Sequence, residues 1–173
     1  MRAIRLIVTD VDGVLTNGLM GFDAEGQPFR HFNVRDGLGL ALWYHTGGKA
    51  ALMSGQRSLA VMAIAQQWKC EECLMGVRDK ASACAELAAQ QGLKTEELAF
   101  IGDDLLDLGA LEAVGLGIAV SDAPLQVKEA VDYVTEAAGG RGALREAIET
   151  ILQAQGRLDE AIGKYRADPG DVQ

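Results

Sequence analysis

Asp10 and Asp12 stand one residue apart at the end of the apolar run Ile4-Arg5-Leu6-Ile7-Val8-Thr9, and Gly13 follows them. Two carboxylates at that spacing can divide a reaction, one attacking an electrophilic centre and the other shuttling a proton. An ordinary turn uses the same residue types. Polar residues further along separate the two readings. Ser54-Gly55 follows Lys49 to Met53, Lys80 precedes an Ala-rich stretch, and Asp103, Asp104 and Asp107 follow Leu98-Ala99-Phe100-Ile101. Singly, each has a structural explanation: Ser54 at a helix approach, Lys80 in a solvated first turn, Asp103 and Asp104 capping a helix.

Together they make a chemistry. Converging acids repel one another unless a cation lies between them. Oxygen donors without histidine suit Mg2+, which retains waters and takes one or two carboxylates plus phosphate oxygens. The Ser54 hydroxyl, the Gly55 amide and the Lys80 ammonium are the donors and positive charge that a phosphate group needs. An aspartate beside phosphorus can form an aspartyl-phosphate. An acid two residues on can protonate the leaving alcohol and then activate water.

Strand ends must hold these groups. Ile4 to Val8, Lys49 to Met53, Cys73 to Met75, Leu98 to Ile101, Leu116 to Val120 and Tyr133 to Thr135 read as strands, most of them continuous apolar runs. Between them the spacing predicts helices over 38–46, 59–68, 80–91, 106–114 and 124–130, with Ser58 as an N-cap and Gly92 and Gly115 as stops. A last helix covers 143–155. Asn33 to Gly37 and Gly139 to Gly142 read as loops. The alternation predicts an α/β fold with a doubly wound parallel sheet, whose ligands lie beyond the carboxyl ends of the strands. Leu19 to Phe32 reads as a hairpin around Asp23-Ala24-Glu25-Gly26. It holds three of the four Phe residues, so it is expected to pack on something else, another subunit included.

With 173 residues the chain fits one domain, drawn here as 1–165 with a tail over 166–173 whose Asp-Pro-Gly composition is that of disordered segments. Apolar residues make up 49% and aromatics 5%, so Ala, Leu, Val and Ile must build the core. Lys and Arg total 16 against 25 Asp and Glu, a net charge of -9. Such a surface repels phosphate backbones and anionic lipid, so neither nucleic acid nor membrane is an expected partner. No apolar run is long enough to span a bilayer, and a cytoplasmic location is expected. Cys70, Cys73 and Cys84 are an odd number, which argues against a disulfide framework. Cys70 and Cys73 have CxxC spacing without a second ligand pair and read as inert thiols.

The order strand-DxDG, strand-Ser-Gly, Lys before a helix, strand-GDDxxD resembles the haloacid dehalogenase superfamily of Mg2+-dependent phosphohydrolases, from Ile4 to about Tyr165. The resemblance implies Asp10 as nucleophile, Asp12 as general acid and base, and Ser54 and Lys80 as phosphoryl-binding groups. It implies Mg2+ held by the Asp10 carboxylate, the Asp12 backbone carbonyl and Asp103, with Asp104 and Asp107 orienting ligands and Lys80. Asp10 to Gly18, Phe32-Asn33-Val34-Arg35-Asp36-Gly37, Gly139 to Glu146 and Ala154-Gln155-Gly156 further resemble the 3-deoxy-D-manno-octulosonate 8-phosphate phosphatase family. That resemblance implies a sugar-acid phosphate monoester as substrate and no separate cap domain. It also implies a homotetramer joined through the hairpin, with neighbouring subunits covering the site. Asn33, Val34, Arg35, Asp36 and Gly37 would line the substrate pocket beside Asp12, Ser54, Gly55 and Lys80.

Three departures bear on the substrate. Ala41, Gln56 and Ile64 stand where this family usually has Arg, whose fork suits carboxylates. Arg57 and Arg78 are nearby but not equivalent positions. The phosphoryl-transfer set is therefore a stronger expectation than the octulosonate leaving group, and the alternatives are a related nonulosonate 9-phosphate or another small phosphate ester, or a non-catalytic oligomeric relic of the fold. A phospho-acceptor signalling domain has its elements in another order. Four intact motif elements weigh against a non-catalytic scaffold, while the three missing arginines keep that alternative in view.

Overall fold

The computed structural model describes residues 1–168. Along the chain, β1 (Leu6–Asp10) leads to a hairpin of β2 (Gly21–Phe22) and β3 (Pro28–Phe29), then to α1 (Val34–His45), β4 (Lys49–Ser54), α2 (Leu59–Gln67) and β5 (Glu72–Met75). The second half runs α3 (Lys80–Gln90), β6 (Leu98–Gly102), α4 (Leu108–Ala113), β7 (Leu116–Ala119), α5 (Leu125–Glu129), β8 (Tyr133–Val134), α6 (Ala143–Ala154) and α7 (Leu158–Ala167). Single turns of 3-10 helix precede β6 and α4.

Six strands form a parallel sheet in the order β5-β4-β1-β6-β7-β8. All residues of β1, β6 and β7 are buried, as the continuous apolar runs require of strands covered on both faces. The chain winds from β1 outward through β4 and β5, then returns to β6 and winds the other way. The strand order therefore reverses beside β1, and a crevice opens beyond the ends of β1 and β6. Thr9 is level with Leu52 and Ile101, so Asp10 is the last residue of the central strand.

α1 packs against α6 and α7, while α3 packs against α4. In α6, Leu144, Ala147, Ile148, Ile151 and Leu152 form one buried stripe at helical spacing. Each of its larger side chains contributes about 1.5–3 kcal/mol on burial. The Trp43 indole N–H donates to the Lys49 carbonyl at 2.7 Å, which fixes α1 to the start of β4.

Three expectations change. Asn33 to Gly37 is not a loop: Asn33 is the N-cap of α1, its Oδ1 accepting from the Arg35 amide at 3.0 Å, and 34–37 are the first turn. The Asx chemistry that favours turns favours helix starts equally. Ser58 occupies the N-cap position of α2 but makes no side-chain cap bond; its Oγ accepts from Arg30 instead. α7 was not expected, because its face is mostly polar and only Ala161 is buried. It carries Arg166 and Ala167 in helix, and 169–173 of the expected tail lie outside the described residues.

The hairpin forms, with Asp23 Oδ1 accepting from the amides of Glu25 and Gln27. Leu19, Met20, Phe22 and Phe29 are exposed. Phe32 turns inward, edge to face with Trp68.

Asp36 is 0% exposed. Its Oδ1 accepts from the Arg145 amide at the start of α6 at 2.9 Å, and its Oδ2 has no hydrogen-bond partner. Burial pushes its pKa up to about 6 against the pull of Arg145. Between the ordinary value of 3.8 and about 6 the folded protein therefore holds a proton that the unfolded chain has released. Stability from this residue is full below about pH 4 and is lost as pH rises through about 6. Asp36→Asn should remove that slope, gaining up to about 3 kcal/mol relative to the parent between pH 4 and pH 7. Urea unfolding of both proteins across that range is the check, and a pH-independent difference would refute it.

Candidate active site

The Lys80 ammonium donates to Asp10 Oδ1 at 2.7 Å and to Asp107 Oδ1 at 2.6 Å, and all three side chains are at least nine-tenths buried. Lys80 opens α3, where the helix dipole disfavours a cation. The two carboxylates offset that cost. Burial works against its charge, but Asp10 and Asp107 more than compensate and raise its pKa. Asp107 Oδ2 accepts from the amides of Asp103 and Asp104 at 3.0 and 3.3 Å. Both of its oxygens are thus committed to holding Lys80 and the loop after β6.

Asp103 completes the group. One oxygen each from Asp10, Asp103 and Asp107 lie within 4.8 Å of one another. Burial raises the Asp10 carboxyl, with Lys80 opposing it. Burial also raises the Asp103 carboxyl, and the charges of Asp10, Asp107 and Asp104 add to the shift. Three acids thus face one lysine. The surplus negative charge and the all-oxygen donor set fit a hard divalent cation.

Gly13 lets Asp103 come this close. Its φ is +100°, and a Cβ on it would collide with the Asp103 carboxylate. Thr16 Oγ1 accepts from the amides of Gly13 and Gly18 at 3.1 and 3.3 Å and closes the loop. Gly139 and Gly140 lie directly on that loop: the Gly140 amide donates to the Val14 carbonyl at 2.9 Å, and a Cβ on Gly139 would strike the Gly13 carbonyl.

Asp10, Asp12, Ser54, Gln56, Arg78 and Lys80 line a cavity of about 510 Å3, which Gly55 also borders. Ser54 sits at the end of β4, where its Oγ accepts from the Gln56 amide at 3.1 Å, leaving its own proton to donate. The structure therefore brings together Asp10, Asp12, Ser54, Gly55, Lys80 and Asp103. Asp104 caps the turn before α4, its Oδ1 accepting from the Leu105 amide.

The Asn33–Gly37 segment lies apart from them. Asn33 and Val34 border a different cavity of about 410 Å3, with His31 and Arg141, and Asn33 Nδ2 donates to the Gly140 carbonyl. Asp36 and Gly37 are buried in α1; a Cβ on Gly37 would meet the Trp68 indole at 2.6 Å. Arg35 is exposed on the first turn of that helix. Within one chain none of the five reaches the carboxylate cavity, because the residues form a helix start that faces α6. Of the three positions without Arg, only Gln56 lines the cavity. Ala41 is buried in α1 and Ile64 packs on the core.

Sequence reasoning missed Arg30. From the strand exit after β3 its Nε donates to Asp12 Oδ1 at 2.6 Å and its Nη2 to Asp12 Oδ2 at 3.2 Å. Nη2 also reaches Gln56 Oε1 at 3.0 Å, and Nη1 reaches Ser58 Oγ at 2.9 Å. Arg30, the one Lys or Arg in 19–32 and set between Phe29 and His31, was the available signal.

A switch-point crevice lined in this way is that of the haloacid dehalogenase-like hydrolases, and the family of that description matches residues 56–146. The 3-deoxy-D-manno-octulosonate 8-phosphate phosphatase of Haemophilus influenzae is 42% identical over 157 residues, 91% of this chain and 87% of that one. Its Escherichia coli K12 counterpart is 40% identical over 162 residues, 93% and 86% of the two chains. The crystal structure of the Moraxella catarrhalis 3-deoxy-D-manno-octulosonate 8-phosphate phosphatase, in complex with magnesium, phosphate and KDO, superposes with a TM-score of 0.91 at 36% identity. It covers 95% of this chain and 94% of its own. The chain belongs to this phosphatase family of haloacid dehalogenase-like hydrolases.

Proposed function

We propose that the chain is a Mg2+-dependent phosphatase that hydrolyses 3-deoxy-D-manno-octulosonate 8-phosphate to the free sugar acid and phosphate. The observation that carries this is the buried Lys80 bridge between Asp10 and Asp107, with Asp103 beside it at the mouth of the crevice. The names of the relatives support the substrate. The Moraxella catarrhalis structure, which holds magnesium, phosphate and KDO, supports the metal. Asp10 and Asp103, with the Asp12 backbone carbonyl, would hold Mg2+, because both oxygens of Asp107 are already engaged. When bound, the ion neutralises the carboxylates and draws charge from the phosphoryl oxygens.

The residues then divide the work. Asp10 attacks phosphorus, forming an aspartyl-phosphate as the bond to the leaving sugar oxygen breaks. Asp12 gives its proton to that oxygen, then takes one from the water that attacks the same phosphorus, which releases phosphate and restores Asp10. Lys80 and the Ser54 hydroxyl offset charge on the phosphoryl group.

Phosphate release from a panel of sugar phosphates with Mg2+ tests the reading. The highest kcat/KM should fall to octulosonate 8-phosphate, and Asp10→Asn should lower turnover by about 10^4-fold or more. No release above that variant from any ester would refute it. A related nonulosonate 9-phosphate is the alternative, because Gln56 lines the cavity at a position where the octulosonate family usually has Arg, and the same panel would then rank it first.

The exposed Leu19, Met20, Phe22 and Phe29 support assembly as a homotetramer through the hairpin. The three free thiols are consistent with a cytoplasmic location. No helix among the described residues is long and apolar enough to cross a membrane.

A further inference from the structure

We propose that Arg30 is the residue that reads the substrate's carboxylate, and that the substrate's acid group takes the place Asp12 occupies on it in the free enzyme. The inference rests on the phosphatase reading above and names the group on the chain that selects an acid-bearing sugar.

The arrangement around Arg30 is a carboxylate receptor already filled. Its fork holds both oxygens of Asp12, the geometry in which guanidinium and carboxylate match best. Gln56 Oε1 and Ser58 Oγ, both neutral, fix the guanidinium from the other side, and its side chain is only 11% exposed. Among the described residues, Asp12 is the only carboxylate paired with it. Gln56 thus acts here as a clamp on Arg30.

The contact has a chemical consequence. An acid whose two oxygens are both engaged by a guanidinium is not free to reach a leaving group, so Asp12 must leave Arg30 before it can act there. A group without charge offers Arg30 nothing equivalent in exchange, whereas a substrate carboxylate offers the same fork. The space for the body of such a substrate adjoins the fork: a cavity of about 460 Å3 bordered by Arg30, Gln56, Arg57 and Ser58 shares Asp12 and Gln56 with the phosphoryl cavity. Recognition of the acid and release of Asp12 are then one event. A phosphate ester lacking the acid is hydrolysed slowly because it leaves Asp12 tied.

The test compares octulosonate 8-phosphate with a hexose 6-phosphate, using wild type, Arg30→Met and Arg30→Lys. For Arg30→Met, kcat/KM on the acid should fall about 100-fold, mostly through KM. On the hexose phosphate it should rise severalfold, because Asp12 is released. Arg30→Lys, which keeps the charge but not the fork, should fall between. A proportionate loss on both esters would overturn the proposal, since it would place Arg30 in phosphoryl transfer or in hairpin folding. A measurement on the wild type stands independently of the variants. Free octulosonate should inhibit hexose phosphate hydrolysis at least about tenfold more tightly than its methyl ester. Equal inhibition by the two would overturn the assignment while leaving the phosphatase intact. A wild type that hydrolyses neither ester would remove the phosphatase reading, and this one with it.

Discussion

Lys80→Met is expected to lower phosphate release by at least about 10^3-fold and to cost the metal-free protein about 3–5 kcal/mol of stability. Among the described residues, Lys80 is the one cation bonded to Asp10 and Asp107, and Asp103 adds a third acid within the same few ångströms. A methionine leaves those acids buried without a countercharge. Breaking one side of a buried pair is costlier than never having had it, because the remaining charge stays desolvated. The two losses respond differently to metal. Mg2+ should raise the stability of Lys80→Met more than that of the parent, because the ion then supplies all of the missing charge. Activity should not return with it. Urea unfolding in chelator and in millimolar Mg2+, beside phosphate release, separates the two. If Lys80→Met is as stable as the parent in chelator, the carboxylates are not held together by the lysine.

Gly13→Ala should weaken Mg2+ binding by about 100-fold and lower kcat/KM to a similar extent, while costing about 1–3 kcal/mol in stability. A φ of +100° strains any residue with a Cβ, and here the added carbon also points into the Asp103 carboxylate. The change adds no charge and removes no ligand, so its effect on metal affinity reads how far Asp103 must retreat. Calorimetric titration with Mg2+ gives the affinity, and thermal unfolding gives the strain. Unaltered Mg2+ affinity would remove Asp103 from the ligand set.

The end of the sheet where these carboxylates gather was legible because parallel strands buried on both faces must be apolar until they stop. β1, β4 and β6 announce their ends with Asp10, Ser54 and Gly102-Asp103, and a doubly wound sheet puts those ends at one crevice. Lys80 was legible by its place before an Ala-rich helix. What escaped were contacts made across sequence by side chains with bland local roles. Ser58 has the residue type and position of an N-cap, yet its hydroxyl serves Arg30. Asp36 looks like a loop acid, yet it is buried against the start of α6, more than a hundred residues away. Arg30 sits in a hairpin whose aromatic and apolar residues suggested packing on another surface, not a partner for Asp12. α7 escaped for the opposite reason: it buries so little that its helical period is faint.

The seating of Gly139 and Gly140 on the loop after β1 has a consequence for biogenesis. The Gly140 amide closes on the Val14 carbonyl, and Asn33 reaches the Gly140 carbonyl from α1. Asp10 precedes the strap over its loop by some 130 residues, and β6, its neighbour in the sheet, also comes later in the chain. Contacts this distant in sequence close slowly. A nascent chain still on the ribosome thus holds Asp10 on an unfinished sheet, with neither Asp103 nor the glycine strap in place. The surroundings of Asp10 are therefore complete only once the chain has been made through Gly140.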